Sequence, residues 1–232
     1  MKKIERGEID VFWLYFGMII LLPIYAQFKV KSTYNKYSKV RSTSGMTGAQ
    51  VARLILDQNG LHDVKVVESK GFLSDHYNPM TKIVALSSSN YHEASVAGTA
   101  VAAHEVGHAI QDKEDYSFLR FRHRLAPVAN LTSNASWVFI MIGLIFSSMN
   151  SLLGIGILLL AVGVVFQVVT LPVEFNASSR AMDQIVELGV IRNDEEPYAK
   201  KVLSAAAMTY VAATAVAVLE LLRLVLIFVN RD

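Results

Sequence analysis

The chain has 232 residues, of which 53% are hydrophobic and 18% charged, and the apolar residues are gathered into long runs instead of being spread as in a soluble domain. The net charge is +2, with the basic residues beside the apolar runs and not in a patch, which argues against a nucleic-acid partner. The sequence contains no cysteine, so a disulfide framework and a thiolate metal site are both excluded.

Residues 11–28, VFWLYFGMIILLPIYAQF, carry no charge, and residues 1–28 are read as an N-terminal transmembrane anchor. A cleavable signal is disfavoured, because the flank MKKIERGEID mixes Lys2, Lys3 and Arg6 with Glu5, Glu8 and Asp10 and the apolar core exceeds a signal's roughly 7 to 15 residues. Lys29, Lys31, Lys36, Lys39 and Arg41 follow, which places the next segment on the cytoplasmic side.

Residues 29–124 read as a small mixed domain. Thr47 with Gln50 forms a capping box for a short helix that uses Ala49, Val51, Ala52, Leu54 and Ile55 and ends at Asn59-Gly60. VKVV (64–67) and KIVALS (82–87) are β-branched strands, with Asn78-Pro79 a turn between FLSDHY and the second, so a small antiparallel sheet is expected. SSSN (87–90) offers caps for one long helix from about residue 90 to 111, slim because of Ser95, Ala97, Gly98, Ala100, Ala102 and Ala103.

That helix carries VAAHEVGHAIQ, residues 101–111. Residues four apart share a helix face, so His104 and His108 can aim their ring nitrogens at one point, and Glu105 sits one position round, where its carboxylate can reach a water there. This is the H-E-x-x-H arrangement of zinc hydrolases, and Gly107 leaves room for another element to approach. The blander alternative is an ordinary polar helix face. A third protein ligand is needed to leave one position for water, and the candidates are His123, Asp112, Glu114, Asp115 and Glu174.

Residues 125–173 are uncharged and long enough for two crossings of about 20 residues each, a transmembrane hairpin turning at MNSLLG (149–154). Arg120, Arg122 and Arg124 precede it and its turn has no basic residue, so the turn faces outward. The hairpin then returns Glu174 to the face that carries the H-E-x-x-H helix. Glu174 opens EFNASSRAMDQIVEL, with Ala177 and Ala181 as small contacts and Gly189 as the stop, so residues 174–204 form a second part of the catalytic domain. Glu174 is favoured as third ligand over an interfacial carboxylate at a helix start. His123 ranks lower because Arg120, Arg122 and Arg124 around it would repel a cation. Residues 205–230 form a C-terminal apolar helix, read as transmembrane although Glu220 and Arg223 interrupt it. Three residues apart, those two could pair.

DHYNPMTKIVALSSSNYHEASVAGTAVAAHEVGHAIQD and LPVEFNASSRAMDQI resemble the two signature blocks of the YugP-like "putative neutral zinc metallopeptidase" family of bacterial membrane proteins, and KVKSTYNKYSKVRSTSGMTGAQVARLIL resembles its segment after the first transmembrane helix. The resemblance implies a zincin-type core with one zinc ion held by His104, His108 and Glu174 and with Glu105 as catalytic carboxylate. The expected fold is therefore mainly α with a small antiparallel β-sheet, an α+β catalytic core on transmembrane helices. A broader likeness exists to membrane proteases of the HtpX and CAAX-processing type, which place an aspartate four residues after the ligand glutamate to orient a zinc histidine. Here that position is Ser178, leaving Asn176 or Asp183 as substitutes.

The expected function is a multi-pass cell-membrane zinc metallopeptidase with its catalytic face in the cytoplasm, acting on peptides or membrane proteins. Glu105 serves as general base, and His76, Tyr77, His92 and Tyr210 are candidate oxyanion donors. KIVALS offers an edge to which an extended substrate could add. Two other classes compete with this one. A non-catalytic membrane scaffold could keep the metal site and assemble through the small-residue faces of ILLLAVGVV and AAAMTYVAATAVAV, and a metal hydrolase could act on a lipid or another amide. A closed structural site would have no use for Glu105.

Overall fold

The computed structural model describes residues 2–231, with side chains described from Trp13 onward except that of Ser147. The charged flank before the first apolar run lies outside the described side chains. The chain divides into two compact units, one made of residues 1–27, 121–171 and 209–232, the other of residues 28–120 and 172–208.

Among the described residues, four helices are long and apolar enough to cross a membrane: α1 (Lys2–Tyr37), α5 (Ser117–Ile145), α6 (Asn150–Glu187) and α7 (Glu196–Val229). In the apolar unit Ile140, Leu153, Ile157 and Leu224 form a buried cluster. The turn between α5 and α6 is a single 3-10 turn, Ser147–Met149, slightly earlier than the sequence suggests. Two segments that read as separate are continuous: the second arm of the hairpin and EFNASSRAMDQIVEL are one helix, so Glu174 lies inside α6 and not at a helix start.

The other unit contains α2 (Gly48–Gln58), β1 (Lys65–Ser69), β2 (His76–Asn78), β3 (Ile83–Ser87), α3 (Ser88–His92) and α4 (Val96–Lys113). The capping box forms as expected: Gln50 N donates to Thr47 Oγ1, and Thr47 N donates to Gln50 Oε1. Val51, Ala52, Ile55 and Leu56 of α2 and Val96, Ala100, Ala103 and Val106 of α4 share one core with Val84 and Leu86 of β3, Ala181 and Ile185 of α6, and Tyr34 and Tyr37 of α1.

The sheet is mixed, not wholly antiparallel. Its order is β1-β3-β2, with β1 parallel and β2 antiparallel to β3. The physical reason is that FLSDHY supplies a strand of its own. Asn78 Oδ1 accepts from Met80 N and Thr81 N, closing the turn from β2 into β3, and the chain has then reversed twice between β1 and β3. As a consequence β3 is central, with both of its edges paired. The edge strand that packs on α4 is β2, so the expectation of a free edge on KIVALS is corrected.

The long helix expected from about residue 90 is two helices. Glu93 and Ser95 are extended, and this stretch pairs with the segment after α1: Ser42 N donates to Ala94 O and Val96 N to Val40 O. Ser95 then caps α4, its Oγ accepting from Gly98 N at 3.0 Å.

Candidate metal centre

The helical spacing of His104 and His108 on α4 places their rings 4.8 Å apart, centre to centre, nearly perpendicular. Opposite them stands Glu174 of α6. Its Oε2 is 3.3 Å from His104 Nε2 and 3.6 Å from His108 Nε2, and one donor atom from each of the three residues lies within 4.8 Å of the others. The two helices can come this close because residue 107 is glycine: a Cβ there would meet the carbonyl oxygen of Ala177 at 2.6 Å. The small residues at 107 and 177 thus set the distance between the histidines and the glutamate.

The separations test whether these residues fit a zinc ion. Histidine and carboxylate ligands lie about 2.0 to 2.2 Å from a tetrahedral zinc, and donors on such a tetrahedron are therefore about 3.3 Å apart. The observed 3.3 and 3.6 Å match that spacing and exceed the 2.7 to 3.2 Å typical of an N–H···O hydrogen bond. Two nitrogens and one carboxylate oxygen are also the donor chemistry zinc takes up in sites with an open position.

Glu105 is buried beside this group. Burial pushes its carboxyl above the ordinary range, opposed by the imidazoles of His104 and His108 and reinforced by Asp75 and Glu174. His108 is displaced upward: burial acts against its protonation, but Glu174 and Glu105 outweigh it.

The other sequence candidates are engaged elsewhere. Asp112 is paired with Lys82 and Arg120, Asp115 with Arg120, and Glu114 with Arg180. His123 belongs to the other unit, as does Tyr210. Of the remaining suggested oxyanion donors, Tyr77 donates its hydroxyl to Asp112, His92 lies 3.1 Å from Glu68, and exposed His76 turns Nδ1 to the carbonyl of Ser74. Ser178, at the position where proteases of the HtpX and CAAX-processing type carry an aspartate, places Oγ 3.2 Å from His104 Nδ1. Asn176 reaches the site through an intermediary, and Asp183 is exposed. That intermediary, Gln111, was missed by the sequence reading. It contacts His108 Nδ1 at 3.0 Å, and the available signal was its place three residues after a histidine on the same helix face.

No solved structure matches the chain. It is 53% identical over 209 residues to the "Putative membrane protease YugP" of Bacillus subtilis (strain 168), covering 90% of this chain and 92% of that protein. The family described as "Putative neutral zinc metallopeptidase" matches residues 12–229, and the chain belongs to that family.

Proposed function

We propose that this protein is a membrane-bound zinc peptidase in which His104, His108 and Glu174 hold the metal and Glu105 is the general base. The observation that supports the reading is the convergence of the three donor groups, with the two imidazole nitrogens 3.3 and 3.6 Å from the shared carboxylate oxygen, close to the roughly 3.3 Å between donors of a tetrahedral zinc. Zinc bound there would supply a water with its pKa lowered to about 7 and would polarise the scissile carbonyl. Glu105 takes the proton from that attacking water on its carboxylate and returns it to the leaving amine nitrogen. Its buried setting, which favours the protonated form, suits a group that must hold a proton between those two transfers. Edge strand β2, packed on α4, offers backbone groups to an extended substrate, and such pairing tolerates many side chains.

In this proposal residues 29–124 and 174–204 carry catalysis, and residues 1–28, 125–173 and 205–230 lie in the bilayer. The basic residues after the first span and before the second put the catalytic part on the cytoplasmic side.

The decisive experiment measures zinc in detergent-purified wild type, Glu105→Gln and Glu174→Ala. Wild type and Glu105→Gln are expected to hold zinc and Glu174→Ala to lose it, while Glu105→Gln lowers peptide hydrolysis by about 10²- to 10⁴-fold. Zinc unaffected by Glu174→Ala would move the third ligand elsewhere. Folded wild type that takes up no zinc after supplementation would leave a non-catalytic scaffold as the better account.

A further inference from the structure

Gln111 follows His108 by three positions on α4 and is wholly buried, a setting an amide tolerates only when its hydrogen bonds are made. Its Nε2 donates to the carbonyl oxygen of Val173 at 2.8 Å and to Asn176 Oδ1 at 2.9 Å. Its Oε1 lies 3.0 Å from His108 Nδ1.

The directions of these bonds are forced. A backbone carbonyl only accepts, so the amide nitrogen of Gln111 must face Val173. Asn176 is fixed in the same way, because Arg180 can only donate and gives its Nε–H to Asn176 Oδ1 at 2.7 Å. Arg180 is in turn anchored on Glu114 at 2.7 Å. With both Nε2 hydrogens of Gln111 directed to α6, only Oε1 is left for the imidazole, and an oxygen acceptor there requires the proton on Nδ1. The neutral ring then carries its lone pair on Nε2, the atom that faces Glu174.

We propose that Gln111 is a positioning residue for His108: a relay from Arg180 through Asn176 and Gln111 holds the ring as its Nδ1–H tautomer, so that Nε2 is ready for a divalent metal before one arrives. The inference rests on the metal site proposed above and adds what prepares it. His104 differs, since the Ser178 hydroxyl against its Nδ1 can donate or accept and dictates no tautomer. The same relay fastens α4 to α6, so the bonds that orient the ring also secure the close approach that Gly107 and Ala177 permit.

The test uses the full chain in detergent with ¹⁵N-labelled histidine, metal-free and at alkaline pH where the ring is neutral. Long-range ¹H–¹⁵N correlations report which nitrogen carries the proton, with His108 assigned by the signal lost in His108→Gln. The Nδ1–H form is expected in wild type and in Asn176→Asp, which keeps the acceptor oxygen. In Gln111→Met, similar in length but without the acceptor, the fixed tautomer is lost and zinc affinity, measured by competition with a chelator, falls about 10- to 100-fold. An Nε2–H ring in wild type overturns the proposal without any variant having to fold. So does folded Gln111→Met with wild-type zinc affinity. Wild type that binds no zinc defeats the metal site, while its tautomer still decides for or against the relay.

Discussion

Glu105 and Asp112 are buried carboxylates two turns apart on α4, and their surroundings push them in opposite directions. Glu105 is raised, chiefly by burial. Burial would raise Asp112 too, but hydrogen bonds from Lys82 and Tyr77 and the charges of Lys82 and Arg120 hold its carboxyl below the ordinary range. Carboxylates separated in this way take different tasks: the first suits proton transfer, the second stays ionised and ties α4 to Tyr77 of β2 and to Lys82, the residue before β3. A group whose folded pKa is depressed stabilises the protein above its unfolded value, near 3.9 for aspartate, and that contribution is lost as pH falls through the lower folded value. Asp112→Asn should therefore lower the thermal midpoint at neutral pH, and the gap from wild type should close below about pH 4. A gap independent of pH across that window would mean that the charge of Asp112 does not stabilise the fold.

At the scale of elements, the site depends on how closely α4 and α6 approach. Gly107→Ala forces a methyl against the carbonyl oxygen of Ala177, 2.6 Å away, and backbone there cannot swing aside as a flexible side chain would. The expected loss is about 1 to 3 kcal/mol, seen as a lower thermal midpoint together with weaker zinc binding. Gly17→Ala, where a Cβ meets nothing within 4 Å, should change neither, and equal stability of the two variants would remove the close approach from the account. The slimness of α4, the capping box of α2 and the shared face of His104 and His108 were legible in the sequence because each depends on residues at most four apart. The place of Glu174 opposite those histidines was legible for a different reason: an uncharged stretch long enough for two spans is expected to return the chain to the face it left. The break at 93–95 was not legible, since it comes from pairing with residues 40–42, and neither was the parallel β1-β3 pair, which depends on β2 forming between them. Gln111 was overlooked because a neutral amide beside an H-E-x-x-H motif looks like an ordinary helix residue until the carbonyl of Val173 is brought to it.

Across the whole chain, the charges that made the last apolar segment ambiguous are paired within the apolar unit. α7 runs unbroken from Glu196 to Val229, Arg223 donates to Glu220 at 2.5 Å, Tyr15 gives its hydroxyl to the same carboxylate, and the guanidinium lies 5.2 Å from the centre of the Tyr15 ring. Ionisable groups in a span are tolerated when they pair in this way, so Glu220 and Arg223 do not argue against a fourth crossing. If all four candidate helices cross, sidedness would follow from the basic residues at the first and second spans, and the chain lends itself to a direct check because it has no cysteine of its own. Single substitutions Ser148→Cys, in the exposed turn before α6, and Lys70→Cys, exposed between β1 and β2, give two reporters on a cysteine-free background. A membrane-impermeant maleimide applied to intact cells should label Ser148→Cys and leave Lys70→Cys unmodified until the membrane is opened. The opposite pattern would turn the protein over, placing the proposed metal centre outside the cytoplasm. Labelling of both positions from outside would rule out a paired crossing as what returns Glu174 to α4, leaving the contact between α4 and α6 to the close approach of Gly107 to Ala177 and the hydrogen bonds from Gln111 to Val173 and Asn176.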